Sequence, residues 1–190
     1  MLRAEKQDEM GKHKGSRAGF TVWFTGLSGT GKTTSSRLLK ERLLAYGYRV
    51  ELLDGDIVRQ RLSRGLTFSK EDRDENIRRI GYVCELLGRN GVVSLVAAIS
   101  PYRAAREWVR MQIPHFVEVY MECPLTVLIE KDVRGLYRRA LAGKIPNFTG
   151  ISDPYEPPLD PDVRIRSYQD TPTDGVDRIW EKLEKLRLVD

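Results

Sequence analysis

Cysteine and histidine are scarce in this 190-residue chain, and each shortage closes off a class of protein. Two cysteines, Cys84 and Cys123, and two histidines, His13 and His115, define neither a disulfide framework nor a metal site. Long apolar runs are missing as well. The longest, Val92 to Ile99, is broken by Ser94 and falls far short of the ~20 residues that cross a bilayer. The first 18 residues are charged throughout and lack the apolar core of a secretory signal, so a reducing cytoplasm is the expected setting. Nor does one sign of charge dominate. The net charge is +5, and outside residues 1–18 and 127–144 the chain balances at 22 basic against 22 acidic residues. A nucleic-acid binder usually shows a broad basic stripe, which is not the pattern here. The expected partner is a small polyanion, not nucleic acid or membrane.

What is present suits one globular domain. With 41% hydrophobic and 31% charged residues, a chain of this length can bury roughly 70% of its unfolded surface. Residues 20–25 (FTVWFT) read as a buried strand ended by glycine. Residues 32–46 read as a helix with Leu39, Leu43 and Leu44 on its inner side, and 49–53 as a second strand. Ser69, three residues before Asp72, opens a helix whose apolar positions are Ile77, Ile80, Cys84 and Leu87. Residues 92–99 are expected at the centre of a parallel sheet, followed by strands at 116–122 and 163–166. A last helix over 173–188 turns Ile179, Trp180, Leu183 and Leu186 inward. This alternation predicts an α/β fold: a doubly wound, mainly parallel sheet of about five strands flanked by helices. Residues 1–18 read as a charged, mobile extension, and 19–190 as the domain. Residues 151–162, with four prolines and four acids, read as an irregular ordered loop.

The strongest local signal is Gly26-Leu27-Ser28-Gly29-Thr30-Gly31-Lys32-Thr33, a GxxxxGK[ST] phosphate-binding loop between the first strand and the first helix. Its glycines let backbone amides converge on phosphate oxygens. Lys32 reaches the β- and γ-phosphates, Thr33 can hold Mg²⁺, and Thr34 continues the loop into the helix. A nucleoside triphosphate is therefore the expected ligand, with hydrolysis, switching and phosphoryl transfer all open. The second element that usually accompanies such a loop, an apolar strand ending in an acid, is missing, because residues 92–99 run into Ser100. Carboxylates appear instead after the second strand, at Leu53-Asp54-Gly55-Asp56. Asp56 is read as orienting or deprotonating an acceptor hydroxyl, and Asp54 as a magnesium-water partner. The bland alternative is a turn with both acids solvated.

A GTP switch would need an NKxD-type guanine reader, which the sequence lacks, and a motor ATPase would need a longer chain with an acid after the central strand. A small-molecule kinase remains. The residues resemble the adenylylsulfate (APS) kinase family of P-loop kinases. The resemblance is carried by Gly26–Thr34 (GLSGTGKTT), Leu53–Arg59 (LDGDIVR), Gly65–Ile80 (GLTFSKEDRDENIRRI), Ile99–Arg106 (ISPYRAAR), Asp132–Tyr137 (DVRGLY) and Phe148–Pro158 (FTGISDPYEPP). It implies transfer of the ATP γ-phosphate to the 3′-hydroxyl of adenosine 5′-phosphosulfate, with Mg²⁺. Asp54 and Asp56 would act at the metal and the hydroxyl. Arg59, Arg73 and Asn76 would hold phosphosulfate and ribose, and Phe68 and Phe148 would sandwich the adenine. Ile99 and Ser100 would line the same pocket, and a mobile lid over 132–150, carrying Arg134 and Arg139 where lysines are common, would cover ATP. The resemblance further implies a homodimer and an association or fusion with an ATP sulfurylase. No histidine lies near Ser100 in sequence, so Ser100 is expected to contact substrate without becoming phosphorylated. The readings kept beside this one are a P-loop kinase for another nucleotide or sugar hydroxyl and a nucleotide-binding regulatory domain.

Overall fold

The computed structural model describes residues 18–190; the extension expected at the N-terminus lies, but for its last residue, outside the described residues. Among the described residues five strands form one sheet: β1 (Thr21–Thr25), β2 (Val50–Asp54), β3 (Val93–Ala97), β4 (Phe116–Glu122) and β5 (Val163–Arg166). Their order is β2-β3-β1-β4-β5, and every pairing is parallel. The centre is therefore β1, not β3, which lies between β1 and β2 and is equally buried. A parallel strand covered on both faces needs apolar or small residues throughout, and both strands meet that need.

Seven helices complete the described chain: α1 (Lys32–Ala45), α2 (Gly55–Arg61), α3 (Lys70–Arg89), α4 (Arg103–Gln112), α5 (Leu125–Lys131), α6 (Leu136–Leu141) and α7 (Pro172–Lys185). Alternation along β1 splits the core in two. Val22 and Phe24 pack with Leu39 and Leu43 of α1 and Ile179 and Leu183 of α7. Trp23 turns to the other face, against Ile77 and Ile80 of α3 and Val109 of α4. Each fully buried side chain of this size stabilises by about 1.5–3 kcal/mol relative to exposure. Leu44 and Leu186, expected inward, are 48% and 44% exposed: Leu44 is turned about 100° around α1 from the buried Leu43, and Leu186 is the residue that caps α7 beyond its last turn.

Local chemistry sets the helix starts. Ser69 accepts from the Asp72 amide at 3.2 Å, as its spacing predicts, while the Asp72 carboxylate accepts from the Thr67 amide instead of returning to Ser69. Thr171 and Asp174 form the reciprocal cap of α7. Residues 151–162 form no helix or strand, yet they are tied down: the Glu156 amide donates to the Pro101 carbonyl at 2.8 Å, and the Tyr155 and Thr25 hydroxyls meet at 2.9 Å. Cys84 is buried in the α3 face, where desolvation pushes its thiol up to about 12, so both its place and its chemistry are those of a small apolar residue.

Candidate active site

The C-terminal ends of β1, β2 and β3 open into one cavity of about 680 Å³. That is where open α/β sheets bind their ligands. On one side lies the turn from β1 to α1. Gly29 and Gly31 have φ of 83° and 84°, in the left-handed region that suits glycine, so the loop curls with its amides inward. Lys32 is 9% exposed and donates from Nζ to the carbonyls of Gly26 at 2.8 Å and Leu27 at 2.7 Å. Burial lowers its pKa to about 7, against the pull of Asp56 and Asp54 in the other direction.

A consequence for pH follows from that value. A polyphosphate beside Lys32 favours its charged form and raises its pKa above that of the free protein. Between the two values, binding takes up a proton, and affinity falls as pH rises through and above about 7. Calorimetric titration with ATP at pH 8, in two buffers of different ionisation enthalpy, should show uptake of up to about one proton. Proton release would contradict the assignment.

The second acidic element joins the first. Asp54 ends β2 and caps α2, accepting the Asp56 amide at 3.0 Å on one oxygen and the Thr33 hydroxyl at 2.8 Å on the other. The sequence left open whether DGD is a turn or a site. Asp54 serves both, and Asp56 stands at the mouth with its side chain 77% exposed. Its neighbour is Arg134, in the turn between α5 and α6, at 3.3 Å.

The opposite wall is cationic and aromatic. Arg73 and Asn76 share one face of α3, are 7% and 5% exposed, and line the cavity. Arg73 donates to the carbonyls of Phe68 at 3.0 Å and Asn147 at 2.6 Å and lies 3.5 Å from the Asp153 carboxylate, and the buried amide oxygen of Asn76 has no partner among the described residues. Phe68 is 52% exposed, with the Arg59 guanidinium 4.3 Å from its ring centre. An apolar ring left open in a cavity is a surface for a flat ligand. Ile99 and Ser100 line the same wall. Ser100 is 2% exposed, has φ 49°, and accepts the Trp23 indole N–H at 2.9 Å.

Not every expected residue reaches the cavity. Ser28, Gly29, Gly31, Lys32, Thr33, Thr34, Asp54, Asp56, Arg59, Phe68, Arg73, Asn76, Ile99, Ser100 and Arg134 line it. Gly26, Leu27 and Thr30 shape the loop from behind, as the Lys32 and Thr30 bonds to its carbonyls show. Arg139 lies exposed on α6 outside the lining, because α6 points Tyr137 and Ala140 inward and turns Arg138 and Arg139 to solvent. Phe148 is also outside it, packed edge-on against Tyr137 with ring centres 5.2 Å apart. Sequence reading missed Tyr137, which lines the cavity and donates to the Ser28 carbonyl at 2.7 Å, fastening α6 to the phosphate loop. Its position in DVRGLY was the available signal. Gln60, Leu128 and Lys131 were also missed.

The chain that carries this site is similar to known proteins. A family model described as adenylylsulphate kinase matches residues 18–166. The chain belongs to the adenylylsulfate kinase family. It is 58% identical over 168 residues to an adenylyl-sulfate kinase of Rippkaea orientalis, covering 88% of this chain and 93% of that one. It is 55% identical over 172 residues to a probable bifunctional SAT/APS kinase of Sorangium cellulosum, covering 90% of this chain but 30% of that longer protein. Among solved structures, the APS kinase of Mycobacterium tuberculosis in complex with AMPPNP and APS superposes with a TM-score of 0.84 at 40% identity, covering 88% of this chain and 98% of that one. The two kept readings, a kinase for another acceptor and a regulatory domain, lose ground to this family membership.

Proposed function

We propose that this adenylylsulfate kinase family member transfers the γ-phosphoryl group of ATP to the 3′-hydroxyl of adenosine 5′-phosphosulfate (APS), giving 3′-phosphoadenosine 5′-phosphosulfate and ADP. The observation that carries the reading is one continuous cavity with a phosphate-binding loop on one side, an open carboxylate in the middle and an arginine-lined aromatic wall on the other. The phosphate loop and Lys32 take the β- and γ-phosphates of ATP. Arg59 and Arg73 bring guanidinium groups, the kind that suits a phosphosulfate, to that wall, and the Asn76 amide oxygen, which has no partner among the described residues, can accept from a ribose hydroxyl. Phe68 supplies the ring for the adenine. Phe148, behind Tyr137, is proposed as the second aromatic of that sandwich, reached by movement of the 132–150 lid, and Arg139 as a phosphate ligand of the same lid.

In the transfer, Asp56 accepts the proton of the 3′-hydroxyl, the freed oxygen bonds to the γ-phosphorus, and the bond to the bridging oxygen of ADP breaks. Such transfers rest on positioning and charge neutralisation more than on covalent help. The Ser100 hydroxyl is buried and already engaged by Trp23, which supports a contact role without phosphorylation. Thr33 and Asp54 fit Mg²⁺, which takes one or two protein oxygens and completes its shell with water and phosphate; among the described residues no cluster of three or more acidic, histidine or cysteine side chains offers a fuller cage. When bound, the ion would screen phosphate charge. We further propose that residues 19–190 act as one cytoplasmic domain and as a homodimer. The exposed apolar side chains of Tyr82, Trp108 and Met111 on α3 and α4 are consistent with self-association. An association with an ATP sulfurylase, which would supply APS, belongs to the same proposal.

The test is incubation of the chain with ATP, Mg²⁺ and APS, with AMP, adenosine and gluconate as competing acceptors and separation of the nucleotides. Turnover of APS is expected. Turnover of a competitor in place of APS would instead indicate a kinase for another acceptor, and ATP binding without turnover a regulatory domain.

A further inference from the structure

Arg106 does not line the cavity, is 2% exposed, and carries three short bonds to three segments of the chain. From α4 its Nε donates to Glu118 of β4 at 2.8 Å, one terminal nitrogen to the Ser100 carbonyl at 2.6 Å, and the other to the Glu156 carbonyl at 2.7 Å. We propose that Arg106 is the positioning residue of the acceptor wall: it holds Ser100 in a left-handed backbone conformation and binds the wall's turn to the segment that supports it. The proposal rests on the reading that this wall receives APS.

The reasoning starts at Ser100. A φ of 49° is rare for a residue with a side chain and persists only where the surroundings over-determine it. Three elements do so here. From β1, Trp23 donates to the Ser100 hydroxyl at 2.9 Å and Thr25 to the Ile99 carbonyl at 2.7 Å. From the 151–162 segment, the Glu156 amide holds the Pro101 carbonyl at 2.8 Å. The Arg106 side chain bonds to both the turn and that segment. Its charge is answered by Glu118, which also meets Arg110 at 3.4 Å, so its part is geometric and not a long-range pull on an anion. A lysine keeps the charge but cannot reach three acceptors in one plane, so it separates the two roles.

Arg106→Lys should raise the KM for APS by about tenfold or more, since a buried carbonyl is left without its charge-assisted bond, with the KM for ATP and the affinity for ADP within about twofold of wild type. The indole ¹H–¹⁵N resonance of Trp23, which reports on the Ser100 hydroxyl, should move, and that of Trp180, on the other face of the sheet, should not. An unchanged APS KM with an unmoved Trp23 signal overturns the proposal. So does a parallel loss of both nucleotides with both indoles shifted, which would mark general loosening of the fold. Should Arg106→Lys fail to fold, Glu118→Gln retains the shape and the acceptor but weakens the charge-assisted hold. It should raise the APS KM by about threefold and move the Trp23 signal the same way, and no change in either overturns the idea. Absence of APS turnover in the wild-type protein would refute the function instead, while the Trp23 signal still decides the role of Arg106.

Discussion

Asp56→Asn should lower kcat by about 10²- to 10⁴-fold while ATP still binds, because the amide fills the same space but cannot take a proton from an attacking hydroxyl. The substitution is clean on structural grounds. Asp56 is exposed at the cavity mouth, and its backbone amide, which caps onto Asp54, is untouched. Neutralising the carboxylate weakens its ion pair with Arg134 at 3.3 Å, which joins two exposed groups and is worth at most about 1 kcal/mol. Melting temperature and ADP affinity should therefore stay close to wild type while single-turnover transfer collapses. A variant that keeps more than about a tenth of the wild-type kcat would remove Asp56 from the role of proton acceptor.

Lys32→Ala should cut kcat by about 10²- to 10³-fold and weaken nucleotide binding as well, because in the proposed role Lys32 would contact the phosphates both before and during transfer. The two effects distinguish it from the Asp56 variant, whose loss is confined to kcat. Stability should move little by comparison. The loop gives up two hydrogen bonds to the Gly26 and Leu27 carbonyls, each worth about 1 kcal/mol, and in exchange the protein no longer buries an amine that desolvation has brought to about 7. Lys32→Arg should not restore activity, since a guanidinium is too broad for the space a primary amine occupies under the loop. Fluorescent-nucleotide binding together with steady-state kinetics checks both variants, and near-normal kcat in Lys32→Ala would sink the assignment.

How far the sequence reveals this protein depends on where the signal resides. The phosphate loop is legible because backbone curvature demands glycine at fixed places, and Gly29 and Gly31 occupy them. The strands β4 and β5 match their sequence ranges residue for residue, since apolar runs with clear breaks leave little freedom. The short helices α2, α5 and α6 are not legible, because six or seven residues hold too few periodic positions to distinguish a helix from a turn. Helix α4 is a different miss: Ala105 and Val109 are its buried apolar anchors, and the arginine between them, Arg106, looks like solvent-facing charge until Glu118 and two carbonyls from distant segments are seen around it. Sheet order is likewise beyond a single sequence, so the expected centre, β3, yields that place to β1. In the cavity, the residues on regular elements, Arg73 and Asn76, are placed by helical spacing. Arg139 rests on resemblance and Phe148 on resemblance and its place in a loop, and their side chains lie off the lining in this structure.

The bonds from Lys32 to the Gly26 and Leu27 carbonyls bear on the thermodynamics of nucleotide capture. A glycine-rich turn would otherwise sample many shapes and surrender that freedom on each encounter. Cross-braced by its own amine, the loop is preorganised, so little ordering entropy is lost when phosphate arrives.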